Sequence, residues 1–588
     1  MNPIKCSTAE AALKGLFLGP QAENREWVAE QISQLLKSWF EWRQNSFPKD
    51  GWAISRDDMQ SAEYLSRRKN TEETLKYLTT RFEAEIPKFS PRYIGHMFSE
   101  MSLPALFGHI LTLLHNPNNI SGESSKVGVF IEDEAIQALS KMIGYPQGSG
   151  HFTSGGTIAN FEAVYRARSR CYSWLSAGLA SGITSAFSSS VMGWHQYDNS
   201  KVCREEALKF NPLEGNPFEV SQRIFKHTHN AFLGPVLLVP EHKHYSWVKA
   251  ANVFGLGAES FWSVRLDNEG RMDVKDLANQ ILKAEQEDRP ILMAVSVLGT
   301  TELGMIDPIH KVQEVLDSYR ASKGWHIWHH IDAAYGGFFC SLLGQDITVS
   351  NALSTESLKA LSAVATTTSL TIDPHKLGYV PYSSGAFLTS NPRDYFQNPF
   401  GAPYVDFKAQ QAHTDKGPFT LEGSRSATGA VATWMTANCI GLSQEGYGKI
   451  IARTIQLKSE FEKSLKEEVR HLRVAPSTDT NLIGFCLAAP GETLSKSNAR
   501  TLEAFKNFHE NKDQVFFVSK TKINKKSYEL YINDFVNSWE GQVDSDELVL
   551  IRLCIMNPFF KTKEMKVDYQ KLFISTLKEM EILYARSN

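Results

Sequence analysis

Four short runs of apolar and β-branched residues constrain this chain most: PVLLVP (Pro235–Pro240), PILMAVSVLG (Pro290–Gly299), WHIWHHIDAAY (Trp325–Tyr335) and AVATTTSLTID (Ala363–Asp373). Near-continuous apolar runs of this length are what strands buried on both faces require. Segments with helical periodicity lie between them. Between the second and third runs, Asp307 is expected to cap a helix, Pro308 to take its first position, Ile309, Val312, Leu316 and Tyr319 to form its apolar face, and Gly324 to end it. Strand, helix, strand in repetition is a parallel crossover, and the expectation is an α/β domain with a doubly wound, mostly parallel sheet.

On either side the pattern changes. WVAEQISQLLKSWFEW places Val28, Ile32, Leu35, Trp39 and Trp42 at helical spacing, an amphipathic arm whose stripe is core or subunit interface. Beyond about Ala430, helical segments precede two isolated strands, TNLIGFCLA and ELVLIRLCIM, the pattern of a smaller α+β domain. The expected division is an N-terminal helical arm and dimerisation segment over 1–95, a large α/β domain over 96–430 and a small domain over 431–588. Residues 492–543 are polar, lysine-rich and carry no clear period, and SGITSAFSSS (Ser181–Ser190) reads as an exposed connection.

Composition excludes several classes of function. With 588 residues, 42% of them hydrophobic, the chain can bury a large core, and a formal charge of −3 gives no electrostatic footprint for nucleic acid or an acidic membrane. Seven scattered cysteines, none in a CxxC pair, suggest neither a disulfide framework nor a metal site. The absence of an apolar leader and of any run of 18 apolar residues leads to the expectation of a cytoplasmic protein without a membrane partner.

Chemistry-bearing residues gather at the ends of the apolar runs. HFTSGGTIAN puts Ser154, Gly155, Gly156 and Thr157 directly before a helix with an apolar face of Ile158, Phe161 and Val164; free N–H groups there suit one phosphate, although an ordinary glycine turn has the same appearance. Neither GxxxxGK[ST] nor GxGxxG is present. In HIDAAYGG, Asp332 falls at the carboxyl end of a strand, where it either caps the turn or holds a positive ring nitrogen, and small Ala333 and Ala334 leave room for a flat ring. His244 in EHKHYSW could stack on such a ring. Lys376 in TIDPHKLGYV is confined by a turn beside buried strands, an expensive place for an ammonium unless it has a partner or works as an amine. A phosphate cradle, a stacking residue, a carboxylate for a ring nitrogen and an amine for an aldehyde are together the requirements of pyridoxal 5'-phosphate.

The motifs TIDPHK, HIDAAYGG, TSGGTIAN, GTTELGMIDPI and HYSWVKAANVFGLG resemble those of the group II pyridoxal-phosphate decarboxylases, with PRYIGHM, PEHKHYSWVKAA, TIDPHKLGYVPYSSG and LEGSRSATGA most similar to the bacterial tyrosine decarboxylases. The resemblance runs from about Leu16 to Pro558. It implies a fold-type I enzyme related to aspartate aminotransferase. It also implies that Lys376 carries the cofactor as a Schiff base, Asp332 pairs with the pyridine nitrogen and His244 stacks on the ring. Ser154, Gly155, Gly156 and Thr157 would bind phosphate with His375 and Asp373; Thr301 would lie near the ring's phenolic oxygen; Ala334 would lie against the ring; and Ser424 would reach the phosphate of a neighbouring subunit. The implied unit is a homodimer with shared active sites, and the implied reaction is decarboxylation of an L-amino acid, tyrosine or DOPA first. The implied proton donor is a loop tyrosine, with Tyr404 as the candidate and His413 or Tyr382 as alternatives, and His96 would meet the substrate side chain. An acidic substrate would need a cation for its distal carboxylate, for which Arg92 and Arg425 are available but structurally explicable. A scaffold that kept the fold without activity is the reading from another class.

Overall fold

The computed structural model describes residues 12–397, 399–401, 415–510 and 515–587. Its larger sheet is built from β1 (Ser149–Thr153), β2 (Val236–Pro240), β3 (Phe261–Val264), β4 (Ile291–Val297), β5 (His329–Ala333), β6 (Ser369–Ile372) and β7 (Gly385–Thr389). Their order across the sheet is β1-β7-β6-β5-β4-β2-β3. The block β3-β2-β4-β5-β6 is parallel, and β7 runs antiparallel to both β6 and β1.

Side-chain alternation explains why helices cover both faces. Leu237 and Val239 pack with Ala159, Ala163, Val164 and Ala167 of the helix Gly156–Ala180 on one face. Val236 and Leu238 pack with Leu277 and Ile281 of the helix Val274–Gln286 and with Val312 and Leu316 of the helix Ile309–Lys323 on the other. Each Val, Leu or Ile among them, taken fully from water, contributes about 1.5–3 kcal/mol before chain entropy is counted. Register aligns Val297, Asp332 and Thr371 across β4, β5 and β6, so the carboxyl ends of three central strands open together.

Several local expectations are revised. Pro308, not Asp307, is the N-cap of the helix at 309–323, while Gly324 ends it in the left-handed region at φ 72°. The Asp307 carboxylate is instead buried, accepting from Met272 N–H at 2.8 Å and Val297 N–H at 2.7 Å and meeting His242 at 2.8 Å. Ile158 and Phe161 are only half-buried; small alanines and an ion pair between Arg166 and Glu162 fill the buried face of that helix. Within Ser181–Ser190 a short helix buries Phe187, Ser189 and Ser190, so only its first residues are an exposed connection.

A second, antiparallel sheet has the order β10-β11-β9-β8, from β8 (Leu472–Val474), β9 (Leu482–Leu487), β10 (Ser519–Asn524) and β11 (Glu547–Cys554). Residues 492–543 belong to it: they supply the helix Leu494–Glu510, β10 and the helix Glu529–Asn537, whose Tyr531, Ile532 and Phe535 pack under Leu548 and Leu550. The N-terminal helices Arg25–Ser46 and Ala62–Phe82 bury no residue within the chain. Val28, Ile32, Leu35 and Trp39 are half-buried and Trp42 is exposed, so their stripe is not core.

Candidate active site

The aligned strand ends and the N-terminus of the helix Gly156–Ala180 enclose a cavity of about 300 Å³. Ser154, Gly155, Gly156 and Thr157 line one end, His244, Asp332 and Ala334 the middle, and Thr301, Asp373, His375 and Lys376 the remainder. No side chain caps this helix, so the N–H groups of its first turn face the cavity with the positive end of the helix dipole behind them. Close packing there demands glycine. A Cβ on Gly156 would fall 2.9 Å from Ala334 Cβ and 3.0 Å from Asp373 Oδ2.

Asp332 is 5% exposed, and its Oδ2 accepts from Asn160 Nδ2 and from Trp247 Nε1, each at 2.9 Å. Its Oδ1 has only the Ala334 N–H at 3.4 Å, which leaves that oxygen for a ligand. Behind it, Trp328 Nε1 donates to Ser369 Oγ at 2.7 Å. Asn160 gives its N–H₂ to Asp332, so its Oδ1 faces His330 Nε2 at 3.4 Å and that nitrogen carries the proton of the neutral ring, leaving His330 Nδ1 to accept from the Ser369 hydroxyl at 2.7 Å. None of Asn160, Trp247 and His330 is signalled by local sequence pattern, although each falls in or beside a quoted motif.

His244 Nδ1 accepts from Ser246 N–H at 3.3 Å and meets Ser246 Oγ at 2.9 Å. Burial, with Lys376 adding to it, pulls the imidazole pKa below its ordinary value, against Asp332 and Asp373, so the cavity meets a neutral flat ring. Lys376 Nζ pairs with Asp373 Oδ2 at 3.0 Å, and Asp373 Oδ1, buried, has no hydrogen-bond partner. His375 accepts Ser384 N–H at Nδ1 (3.0 Å), turns Nε2 to Asp373 Oδ2 at 3.5 Å and stacks on Tyr382 with 4.0 Å between centroids. Asp373 therefore faces the lysine as its counter-ion.

Other candidates lie apart. His96 is exposed, with Nδ1 2.9 Å from Arg552 Nη2. Ser424 accepts from Asn118 Nδ2 at 3.0 Å and does not line the cavity of its own chain. Arg425 is buried in an ion pair with Glu132 and Arg92 donates to Val515 O at 3.0 Å, so both have structural work. Tyr404 and His413 lie outside the described residues. A second cavity of about 1050 Å³ meets the first at His375 and Lys376 and is lined by Phe82, Phe89, Phe98 and Tyr382 among others.

The model of the pyridoxal-dependent decarboxylase conserved domain matches residues 222–488, a span holding His244, Asp332 and Lys376. The L-tyrosine decarboxylase of Levilactobacillus brevis is 29% identical over 100% of this chain and 99% of its own length. This chain carries a pyridoxal-dependent decarboxylase domain. The aspartate 1-decarboxylase of Aliivibrio fischeri is 26% identical over 78% of this chain and 76% of its own. Mouse CSAD superposes with a TM-score of 0.62 at 19% identity, covering 93% of this chain and 98% of that one, a likeness of fold.

Pyridoxal 5'-phosphate is this decarboxylase's cofactor, and the donor set fits it. A glycine-floored helix N-terminus suits a phosphate, and a carboxylate with one tethered and one open oxygen suits a ring N–H. A lysine reaching from the β6–β7 turn suits an aldehyde. The chain is an amino acid decarboxylase, a carboxy-lyase.

Proposed function

We propose that this decarboxylase acts on an aromatic L-amino acid, tyrosine or DOPA first, releasing tyramine or dopamine and carbon dioxide. The observation that carries the reading is end-to-end similarity to an L-tyrosine decarboxylase, which spans the substrate-side segment Pro91–Met97 as well as the cofactor motifs. The engagement of Arg425 and Arg92 elsewhere supports it, since neither is left for a distal carboxylate.

The chemistry supplied by the bound cofactor is an aldehyde that condenses with amines and a ring that accepts electrons as a carboxylate leaves. Lys376 would offer the amine, with Asp373 Oδ2 at 3.0 Å as its counter-ion. Asp332 keeps a proton on the ring nitrogen through its open Oδ1, its other oxygen being held by Asn160 and Trp247. His244 covers the ring as a neutral stacking surface, and Ser154, Gly155, Gly156 and Thr157 take the phosphate. One proton must reach the α-carbon when carbon dioxide departs. Tyr404 is the proposed donor, with His413 and Tyr382 as alternatives; Tyr382 stands at the cavity mouth.

The working unit we propose is a cytoplasmic homodimer. No helix among the described residues is long and apolar enough to cross a membrane. The arm leaves Phe40, Trp42, Phe47, Leu75 and Tyr77 exposed by 51–76%, an apolar area that a partner would cover, and Ser424 is open to a partner's phosphate. The three proposed segments are 1–95, 96–430 and 431–588.

A substrate panel on purified holoenzyme tests the reading by following carbon dioxide and amine release. Turnover of tyrosine or DOPA with little from glutamate or aspartate is expected. Turnover of the acids alone overturns the substrate assignment and leaves the cofactor site standing.

A further inference from the structure

Arg552 projects from β11 and is 4% exposed, yet no carboxylate among the described residues forms an ion pair with it. A buried guanidinium without a counter-ion is costly, and here its donors go to neutral acceptors. Nε donates to Ser519 Oγ at 3.0 Å, Nη1 donates to the carbonyl of Thr301, a residue lining the cofactor cavity, and Nη2 lies 2.9 Å from His96 Nδ1. Glu302, the acid next to Thr301, feels this charge, but burial holds its carboxyl above the usual range.

The last contact has one chemical meaning. A guanidinium only donates, so His96 Nδ1 must be the acceptor, and the single proton of the neutral ring sits on Nε2. Partial desolvation of the ring and then the adjacent Arg552 both hold the imidazole pKa below its usual value. No hydrogen bond to Nε2 is found among the described residues. The backbone fixes the ring's base: Ile94 N–H donates to Phe517 O at 3.0 Å, Cys554 N–H to Ile94 O at 2.8 Å, and Ser519 Oγ, the group that also meets Arg552, to Gly95 O at 2.8 Å. His96 and Arg552 are thus carried by one clamped unit. From His96 a series of rings, Phe98 at 6.1 Å, then Tyr382 at 6.1 Å, then His375 at 4.0 Å, leads to Lys376.

We propose that Arg552 is a positioning residue that fixes His96 as an Nε2–H donor, and so selects substrates with an oxygen acceptor at the far end of the side chain. The inference rests on the aromatic reading above, in which that oxygen is the phenol of tyrosine or DOPA.

The test compares tyrosine with phenylalanine on holoenzyme, together with equilibrium binding of tyramine and phenethylamine by calorimetry. Wild type, Arg552→Lys, Arg552→Met, His96→Ala and the His96→Ala/Arg552→Lys double variant are measured. Arg552→Met is expected to lower the tyrosine-to-phenylalanine ratio of kcat/KM about tenfold, the order of one hydrogen bond. The loss should fall in KM, with kcat for phenylalanine kept, and tyramine affinity should fall with it. Arg552→Lys should lose about threefold, and it alone reports if the methionine variant does not fold. In the His96→Ala background, the Arg552 change should move the ratio by less than about twofold, because the two residues act as one unit. A ratio unmoved by Arg552→Lys and Arg552→Met, or moved equally with His96 absent, overturns the role of Arg552 while tyrosine turnover by wild type stands. Wild-type turnover confined to glutamate or aspartate overturns the aromatic reading and this inference with it.

Discussion

Gly156→Ala tests the phosphate cradle by a displacement whose size can be worked out. The new Cβ would sit 2.9 Å from Ala334 Cβ, where ordinary contact begins at 3.4 Å, so about 0.5 Å must be found. Ala334 has no rotamer by which to yield. Asp373, whose Oδ2 is 3.0 Å away, is held by Lys376. The first turn of the helix must therefore lift, which stretches an N–H···O contact of ordinary length toward the edge of hydrogen bonding. A hydrogen bond to a charged group is worth about 1.5–3 kcal/mol, so affinity for pyridoxal phosphate should fall about 10- to 100-fold. Gly155→Ala is the control, since its Cβ meets only His375 Cε1, at 3.3 Å, and that ring can give by a tenth of an ångström or so; a loss under about threefold is expected. The assay titrates apoenzyme with pyridoxal phosphate and, separately, with pyridoxal, reading the visible band. Gly156→Ala should weaken the phosphorylated ligand and leave pyridoxal nearly unchanged. Equal losses for both, or a loss below twofold, refute the assignment of this loop to phosphate.

Lys376→Ala should purify without the visible cofactor band and release no carbon dioxide. It should also lower the urea midpoint by leaving the Asp373 carboxylate, 2% exposed, without its cation, and Asp373→Asn in the same chain should restore the midpoint. His151, His329 and His330 are held neutral by burial, with pKa values pulled down to about 4, 3 and 4. The unfolded chain binds more protons below pH 6.5, so stability is full above that pH and falls toward pH 4, by up to about 1.4 kcal/mol per pH unit for each. Urea midpoints from pH 7 to 4.5 measure the slope, which His329→Gln should flatten by about a third. Sedimentation of the wild type is expected to give the proposed dimer and that of Trp42→Asp with Phe47→Asp a monomer, and an unchanged sedimentation coefficient would remove the arm from the interface.

Much of this architecture is legible in the sequence because buried parallel strands leave little freedom. The strands at 236–240, 291–297, 329–333 and 369–372 are buried at every residue; the first two are near-continuously apolar, while HHIDA and SLTI carry their polar residues inside longer apolar or β-branched runs. Gly156 is legible for a similar reason, since a Cβ there would press on Ala334 and Asp373. What local pattern misses is chemistry whose partner is distant. Asp307 before Pro308 has the look of a helix cap, yet Met272 and Val297 N–H groups, 35 and 10 residues away, claim it. Asn160 and Trp247 hold Asp332 across 172 and 85 residues, and nothing in the neighbourhood of either marks it as a carboxylate's partner. Residues 492–543 defeat periodicity because polar lysines share short elements with the few large side chains, Tyr531 and Phe535 among them, that do the packing.

These separations place substrate choice at a different point of the fold from the cofactor chemistry. Phosphate, ring nitrogen and aldehyde are met by one sheet and one helix, whose register is fixed by strand pairing from Val297 to Thr371. The segment Pro91–Met97, which carries His96, pairs with Phe517 beside β10 and with Cys554 of β11 rather than with the larger sheet. A side chain at position 552 can therefore change without moving any strand of the cofactor half, linked to it only through the carbonyl of Thr301. Arg552→Lys should accordingly bind pyridoxal phosphate within about twofold of wild type while its tyrosine-to-phenylalanine ratio falls. Cofactor titration and substrate kinetics on the same preparation read both quantities. A matching loss in cofactor affinity would mean that the two halves are mechanically one, and that specificity in this chain cannot be altered from β11 alone.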